Sequence, residues 1–387
     1  MRLWPFQPGA RLALSAVFFL NGSVFGNWVT RIPAVKERYG LGEAGIGLVL
    51  LSFGLGALAA MTATGWLLTR LSSRRAIMVS ATGFALLLMV PALASSLPLL
   101  ILGVVLMGGF NGMLDIAMNT NGIELEEAGG RRILSGLHGL WSVGGLAGAV
   151  LGGAMAQHGV GLSAHFLGVA LGALGFKALF FSGLSRAGEV PTAAPGREAG
   201  RSPVFVRPPR ALYGLALIAF SVFLMEGAVA DWSALYLRET LGAGPAMGAT
   251  GYALFSLCMA AGRFGGDRLL ERYPATALIR RGSGLALAGL AVALLMPLPA
   301  AALPGFALLG LGLSTLFPTV MSRAARHPRV PASLGIAAVT TTGYTGFLLG
   351  PGMIGFVAQA TSLRLALGLL AGLGVAMVLA APAAGEG

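Results

Sequence analysis

Long apolar runs constrain this chain more than any other feature. A helix needs about 20 mostly apolar residues to cross the hydrocarbon core of a bilayer, and the sequence holds about twelve such runs. They fall near 12–30, 46–68, 76–94, 99–119, 133–155 and 162–183, then 211–232, 246–264, 278–298, 303–321, 332–356 and 363–382. Composition agrees, with 56% hydrophobic and only 10% charged residues, against roughly 25% charged in soluble domains. Disorder needs low hydrophobicity and high charge, so it is excluded as well. The expected class is an all-α polytopic membrane protein with 12 transmembrane helices. The first run carries Asn21, Asn27 and Arg31 and is not closed by a small-residue cleavage site. It therefore reads as a span and not as a signal peptide.

The net charge of +12 raises the question of nucleic acid. The charges sit in short clusters between apolar runs, without a basic stripe beside exposed aromatics, so nucleic acid is not an expected partner. Lys and Arg concentrate on the cytoplasmic side of membrane proteins. With both termini inside, 20 of them fall in cytoplasmic segments and five outside: Arg31, Lys36, Arg38, Arg238 and Arg364. Lys177 falls within a span. That bias fixes an even number of spans with both ends in the cytoplasm, and the low Lys usage suggests a prokaryotic cytoplasmic membrane. The single cysteine, Cys258, excludes a disulfide framework and any cysteine-based metal site.

Residues 185–210 break the apolar pattern with Pro, Gly and Arg, and read as a cytoplasmic linker. The linker divides the chain into an N-terminal six-helix bundle, 1–184, and a C-terminal one, 211–387. The halves echo each other at an offset near 198: Thr69-Arg70 falls on Asp267-Arg268, and Gly148 and Gly152 fall on Gly346 and Gly350. Parallel repeats with a substrate site at mid-membrane are a transporter plan.

The loop after the second span reads Gly65-Trp66-Leu67-Leu68-Thr69-Arg70-Leu71-Ser72-Ser73-Arg74-Arg75, with a second copy, Gly262-Arg263-Phe264-Gly265-Gly266-Asp267-Arg268. It resembles the cytoplasmic loop motif of the major facilitator superfamily, with Thr69 in place of the usual acid and Ser72 in place of the usual glycine. The runs Trp28–Pro33, Asp115–Asn119, His138–Ser142 and Glu226–Trp232 resemble a bacterial branch related to fucose permeases. The resemblance covers nearly the whole chain. It implies the major facilitator fold, two pseudo-symmetric six-helix bundles and secondary active transport by alternating access. It also implies that Arg70, Arg74, Asp267 and Arg268 take part in gating. Cations at cytoplasmic helix ends are attracted by carbonyl ends and neighbouring acids and can latch one state. The other reading of these arginines is topology alone.

Ionisable residues at membrane depth are functional candidates by default. Asn111, Asp115 and Asn119 recur at i, i+4 and i+8 on the fourth span, on one helix face. Asp115 is the proton-coupling candidate; its alternative is a pair with a basic residue that joins helices. Fucose permeases likewise use an acid on the fourth span, and another on the first, where this chain has none. Glu226, midway along the seventh span, is the second candidate for proton coupling or for binding hydroxyls, or else a hydrogen bond to a neighbouring helix. Asp231 is placed at the outer mouth, pairing with Arg31 or Arg238. His138, Trp141 and Ser142 share a face of the fifth span, Asn21 and Trp28 one of the first, and Tyr344 lies on the eleventh with Thr341 and Thr345. Sugar sites need amide and carboxylate partners for hydroxyls and a flat aromatic wall. The substrate-binding candidates are accordingly Asn21, Trp28, Asn111, Asn119, His138, Trp141 and Tyr344.

No nucleotide-binding or metal motif is present in the sequence, and the dispersed acids do not form a catalytic constellation. The expectation is a non-enzymatic, cofactor-free monomer whose partners are a small solute, protons and the lipid bilayer. Proton-coupled symport of a sugar-like or other small polar solute is the favoured function. Proton-coupled export of drugs or metabolites is the alternative. Exporters of this superfamily often carry a Gly-Pro motif on the fifth span, whereas here Gly350-Pro351 lies on the eleventh.

Overall fold

The computed structural model describes residues 8–68, 70–130, 133–184 and 207–385. Among them every regular element is a helix. In a bilayer each backbone N–H and C=O must be satisfied inside its own segment, which a helix does. The helices are α1 (Pro8–Arg38), α2 (Glu43–Leu67), α3 (Ser73–Leu87), α4 (Val90–Leu93), α5 (Leu97–Gly129), α6 (Leu134–Gln157) and α7 (Leu162–Phe180). After the linker come α8 (Tyr213–Leu235), α9 (Pro245–Arg272), α10 (Ala275–Leu295), α11 (Pro299–Leu313), α12 (Leu316–Ala325), α13 (Ala332–Ala360), α14 (Leu363–Gly368) and α15 (Leu370–Ala380). Ten segments among the described residues are long and apolar enough to cross a membrane. Helices α9 and α13, of 28 and 29 residues, lie on the predicted eighth and eleventh spans. Three predicted spans are each broken into two helices, at α3–α4, α11–α12 and α14–α15. The first break precedes Pro91, whose missing N–H and ring cannot continue the ladder. Residues 185–206 of the linker, with Arg131 and Arg132, lie outside the described residues.

The chain forms two compact units. The first comprises Met1–Trp28, Ser52–Gly148 and Val160–Ser202; the second comprises Val29–Leu51, Ala149–Gly159 and Pro203–Gly387. The second unit therefore includes the C-terminal ends of α1 and α6 and the N-terminal end of α2.

Small residues set the helix spacing in both units. In the first, a Cβ on Gly144 would lie 2.1 Å from the Phe19 carbonyl oxygen, and one on Gly148 2.1 Å from that of Ser23. Only glycine lets α1 and α6 approach this closely. In the second, a Cβ on Gly346 would meet the Phe220 oxygen at 2.3 Å, while Gly350 meets Leu224 at an ordinary 3.6 Å. Gly144, Gly148 and Gly346 are thus backbone contacts, and Gly350 is not.

The second unit also reveals the register of the repeat. Left-handed glycines, Gly40 at φ 58° and Gly242 at φ 72°, turn the chain from α1 into α2 and from α8 into α9. The Gln359 side chain accepts the Ala44 N–H at the start of α2, and the Gln157 side chain accepts that of Ala246 at the start of α9, both at 3.4 Å. Each of these pairs is offset by 202, not 198. The first copy has four residues more between its helix start and its loop arginine, about one helical turn. At the same end Lys36 sits 2.9 Å from Glu43 and 2.5 Å from Glu239, fastening α1 to α2 and to the π-turn that follows α8.

Helices α1 and α8 each carry accessible positions in their N-terminal part, followed by a buried stretch. On α1 the positions Arg11, Ser15, Phe19 and Ser23 are accessible at a spacing of four, Gly9 and Leu12 are exposed beside them, and Val24 to Pro33 are all buried. On α8 the stripe is Tyr213, Leu217, Phe220, Phe223 and Glu226, and residues 227–237 are all buried. Helix α8 is therefore accessible only in its N-terminal half, whereas α1 opens again at Ala34, Lys36, Glu37 and Arg38.

Candidate functional site

In the first unit, α1, α5 and α6 bring polar side chains from distant sequence positions together. The Asn21 amide nitrogen donates to the Asn111 side-chain oxygen at 3.0 Å, and the Trp141 indole N–H donates to the Asn21 oxygen at 2.6 Å. An indole can only donate, so Trp141 fixes which way the buried Asn21 amide points. Phe25 packs against Trp141 with ring centroids 5.8 Å apart.

One and two turns along α5 a second group forms. The Asn119 amide nitrogen donates to the Asp115 backbone oxygen at 2.9 Å and to its carboxylate at 3.3 Å. Its oxygen lies 3.1 Å from His138 Nε2. Because the Asn119 nitrogen is engaged with Asp115, its oxygen faces the imidazole, which must then carry a proton on Nε2. Phe18 meets the His138 ring edge-on at 5.4 Å. Asp115, Asn119, Asn111, His138 and Trp141 are all half-buried, whereas Asn21 is buried. A carboxylate, amides and an imidazole that remain accessible at this depth must face protein or water. The chain of groups can hold hydroxyls and carry a proton between an acid and an imidazole.

Trp28 stands apart from the other predicted binding residues. It is 1% exposed and packed shut on all sides. Two polar groups were not singled out as site residues from sequence. Asn27, fully buried, donates to the Ser23 carbonyl and meets His165 Nε2 of α7 at 2.8 Å. Ser73, at the start of α3, donates to Glu124 of α5 at 2.8 Å, and Asn121 donates to both. Lys177, the lysine within a span, reaches the Thr82 hydroxyl of α3.

In the second unit Tyr344 lies 5.3 Å edge-on to Phe223, which in turn meets Phe317 at 4.7 Å. Thr341 and Thr345 return their hydroxyls to carbonyls of their own helix. Glu226 accepts from Arg263 Nη2 at 2.9 Å. Arg263 lies within α9, nine residues before its end. The loop reading fails there because α9 stays helical through the whole glycine-rich motif. Asp231 is buried on α8.

Of the gating candidates, Arg70 is exposed just after α2, Arg74 half-buried in the first turn of α3, and Arg268 exposed near the end of α9. Asp267 lies on α9; its side chain is outside the described residues.

The profile of the Major Facilitator Superfamily matches residues 13–333. The chain belongs to this superfamily. An uncharacterized MFS-type transporter of Yersinia pestis is 34% identical over 94% of this chain and 94% of its own length. Membrane protein MosC of Rhizobium meliloti is 36% identical over 97% of this chain and 90% of its own. Among solved structures, that of the nucleoside transporter NupG superposes with a TM-score of 0.74, covering 97% of this chain and 99% of that one at 16% identity. A bacterial homolog of the human lysosomal transporter Spinster gives 0.69 at 17% identity, covering 98% and 96%. The chain has the major facilitator fold, and as a superfamily member with bacterial relatives it is a multi-pass secondary transporter.

Proposed function

We propose that this transporter imports a small hydroxylated solute together with protons across a bacterial cytoplasmic membrane. The observation that carries this reading is the half-buried chain Asp115–Asn119–His138 beside the Asn21–Asn111–Trp141 triad. Amides, an imidazole and an indole wall suit ring or chain hydroxyls, and Asp115 at membrane depth suits proton exchange. Glu226 is the second proton-coupling candidate, and Tyr344 supplies aromatic surface in the other unit. The six-helix halves 1–184 and 211–387, joined by the linker 185–210, rock in alternating access. Arg70, Arg74, Asp267 and Arg268 latch one of the two states.

The arginine bias places the N-terminal halves of α1 and α8 on the cytoplasmic side. Uptake into proteoliposomes under an imposed pH gradient tests the proposal with neutral sugars, polyols and nucleosides as solutes. Accumulation driven by an acidic exterior supports it. Proton-driven extrusion of amphiphiles without sugar uptake would make the chain an exporter instead.

A further inference from the structure

The ion pair Glu226–Arg263 lies where full charges are expensive, and it is not sealed. The side chains keep 19% and 17% of their surface accessible. Glu226 is the last position of the accessible stripe on α8, and every residue from 227 to 237 is buried. The stripe therefore leads past Phe220 and Phe223, with Tyr344 and Phe317 on the latter, and stops at the ion pair. A partly accessible guanidinium at the end of an aromatic-lined stripe has the chemistry of a carboxylate receptor. Arginine presents a planar fork of donors that matches a carboxylate, and an internal carboxylate already occupies it.

We propose that Arg263 binds a carboxylate of the transported solute, and that Glu226 is the counter-ion which the solute displaces. The hydroxylated part of that solute rests on the function proposed above; the class named here is a polyhydroxy carboxylate. When the solute arrives, its carboxylate takes the Arg263 N–H donors and Glu226 loses its cation. Glu226 then takes up one proton from the aqueous solution, as hydronium delivers it, and becomes a neutral acid. When the solute leaves, Glu226 gives the proton up and returns to Arg263. One monoanion and one proton are thus bound and released together. The ionisable groups on elements packed against α8 limit what else can answer to pH: Tyr252 and Cys258 on α9, with Asp267, Arg268, Glu271 and Arg272 in its last turns, Arg323 on α12 and Tyr344 on α13. Arg210 precedes α8, Asp231 lies on it, and Tyr236, Arg238 and Glu239 follow it; α11 and α15 bring no ionisable side chain.

Calorimetric binding to the full-length protein in nanodiscs tests this, with D-glucuronate, D-glucose and lactate as probes. Wild type should bind glucuronate at least about tenfold more tightly than glucose, a difference of about 1.4 kcal/mol. That affinity should fall as pH rises, because binding takes up a proton. Glu226→Gln should bind glucuronate at least as tightly, without the pH dependence. The double variant Arg263→Gln/Glu226→Gln, which removes both charges together and so leaves no unpaired ion, should lose glucuronate and keep any glucose binding. A merely structural pair would leave the double variant's glucuronate binding and pH profile as in wild type, which overturns the proposal. Glucose bound as tightly as glucuronate also overturns it, while leaving the hydroxylated-solute reading intact. Equal binding of lactate and glucuronate, lost in the double variant, supports the carboxylate site and sinks the hydroxylated solute. Binding of none of the three overturns both.

Discussion

The indole N–H of Trp141 donates to the side-chain oxygen of Asn21 at 2.6 Å, across 120 residues of sequence. That bond orients an amide whose nitrogen is spent on Asn111. Trp141→Phe keeps an aromatic ring but leaves the buried Asn21 oxygen without its donor, at a penalty of about 1–3 kcal/mol. Solute affinity should fall about tenfold with expression and fold intact. Equilibrium binding measures it, and unchanged affinity would remove both residues from the site.

Asp115→Asn preserves shape and hydrogen bonding to Asn119 but cannot exchange a proton. Proton-driven accumulation should be abolished, while exchange of solute down its own gradient continues. Counterflow and gradient-driven uptake on the same vesicles separate the two. A mutant that still accumulates solute would move the coupling elsewhere.

Gly148→Ala places a methyl 2.1 Å from the Ser23 carbonyl oxygen, a backbone atom. Helices α1 and α6 must separate, and overpacking of this kind costs about 1–3 kcal/mol. The apparent melting temperature should drop. Gly350→Ala, with only ordinary contacts near it, should be close to neutral.

The accessible and buried stretches of α8 predict a labelling pattern. In a Cys258→Ser background, Phe223→Cys should react with a hydrophilic maleimide applied from the cytoplasmic side, and Ala230→Cys should not. Lys36→Met leaves the Glu43 and Glu239 carboxylates without their shared cation. It should raise labelling of Ala230→Cys from the outer side. Equal labelling of both cysteines in the Lys36 protein would contradict the shut half of α8.

Much of the fold is legible in the sequence because apolar length is a local property: each span can be read from its own residues. The polar face of α5 is legible for the same reason, since Asn111, Asp115 and Asn119 sit one turn apart. What sequence does not give is which helices meet. Asn21 and Trp141 read as binding candidates, but not as partners of each other. Trp28 shares a face with Asn21 and reads as an aromatic wall, yet its surroundings close completely around it. Arg263 is the clearest case. Three glycines, Gly262, Gly265 and Gly266, flank it, which makes the stretch look like a loop, while α9 stays helical and the guanidinium meets Glu226.

The measurement that bears most directly on the transport account is charge movement in proteoliposomes on a solid-supported membrane, with neutral sugars and polyols added under an acidic exterior. The account predicts an inward positive current on addition of a hydroxylated solute, lost in Asp115→Asn. Silence to all such solutes, with amphiphiles driving protons the opposite way, would contradict it.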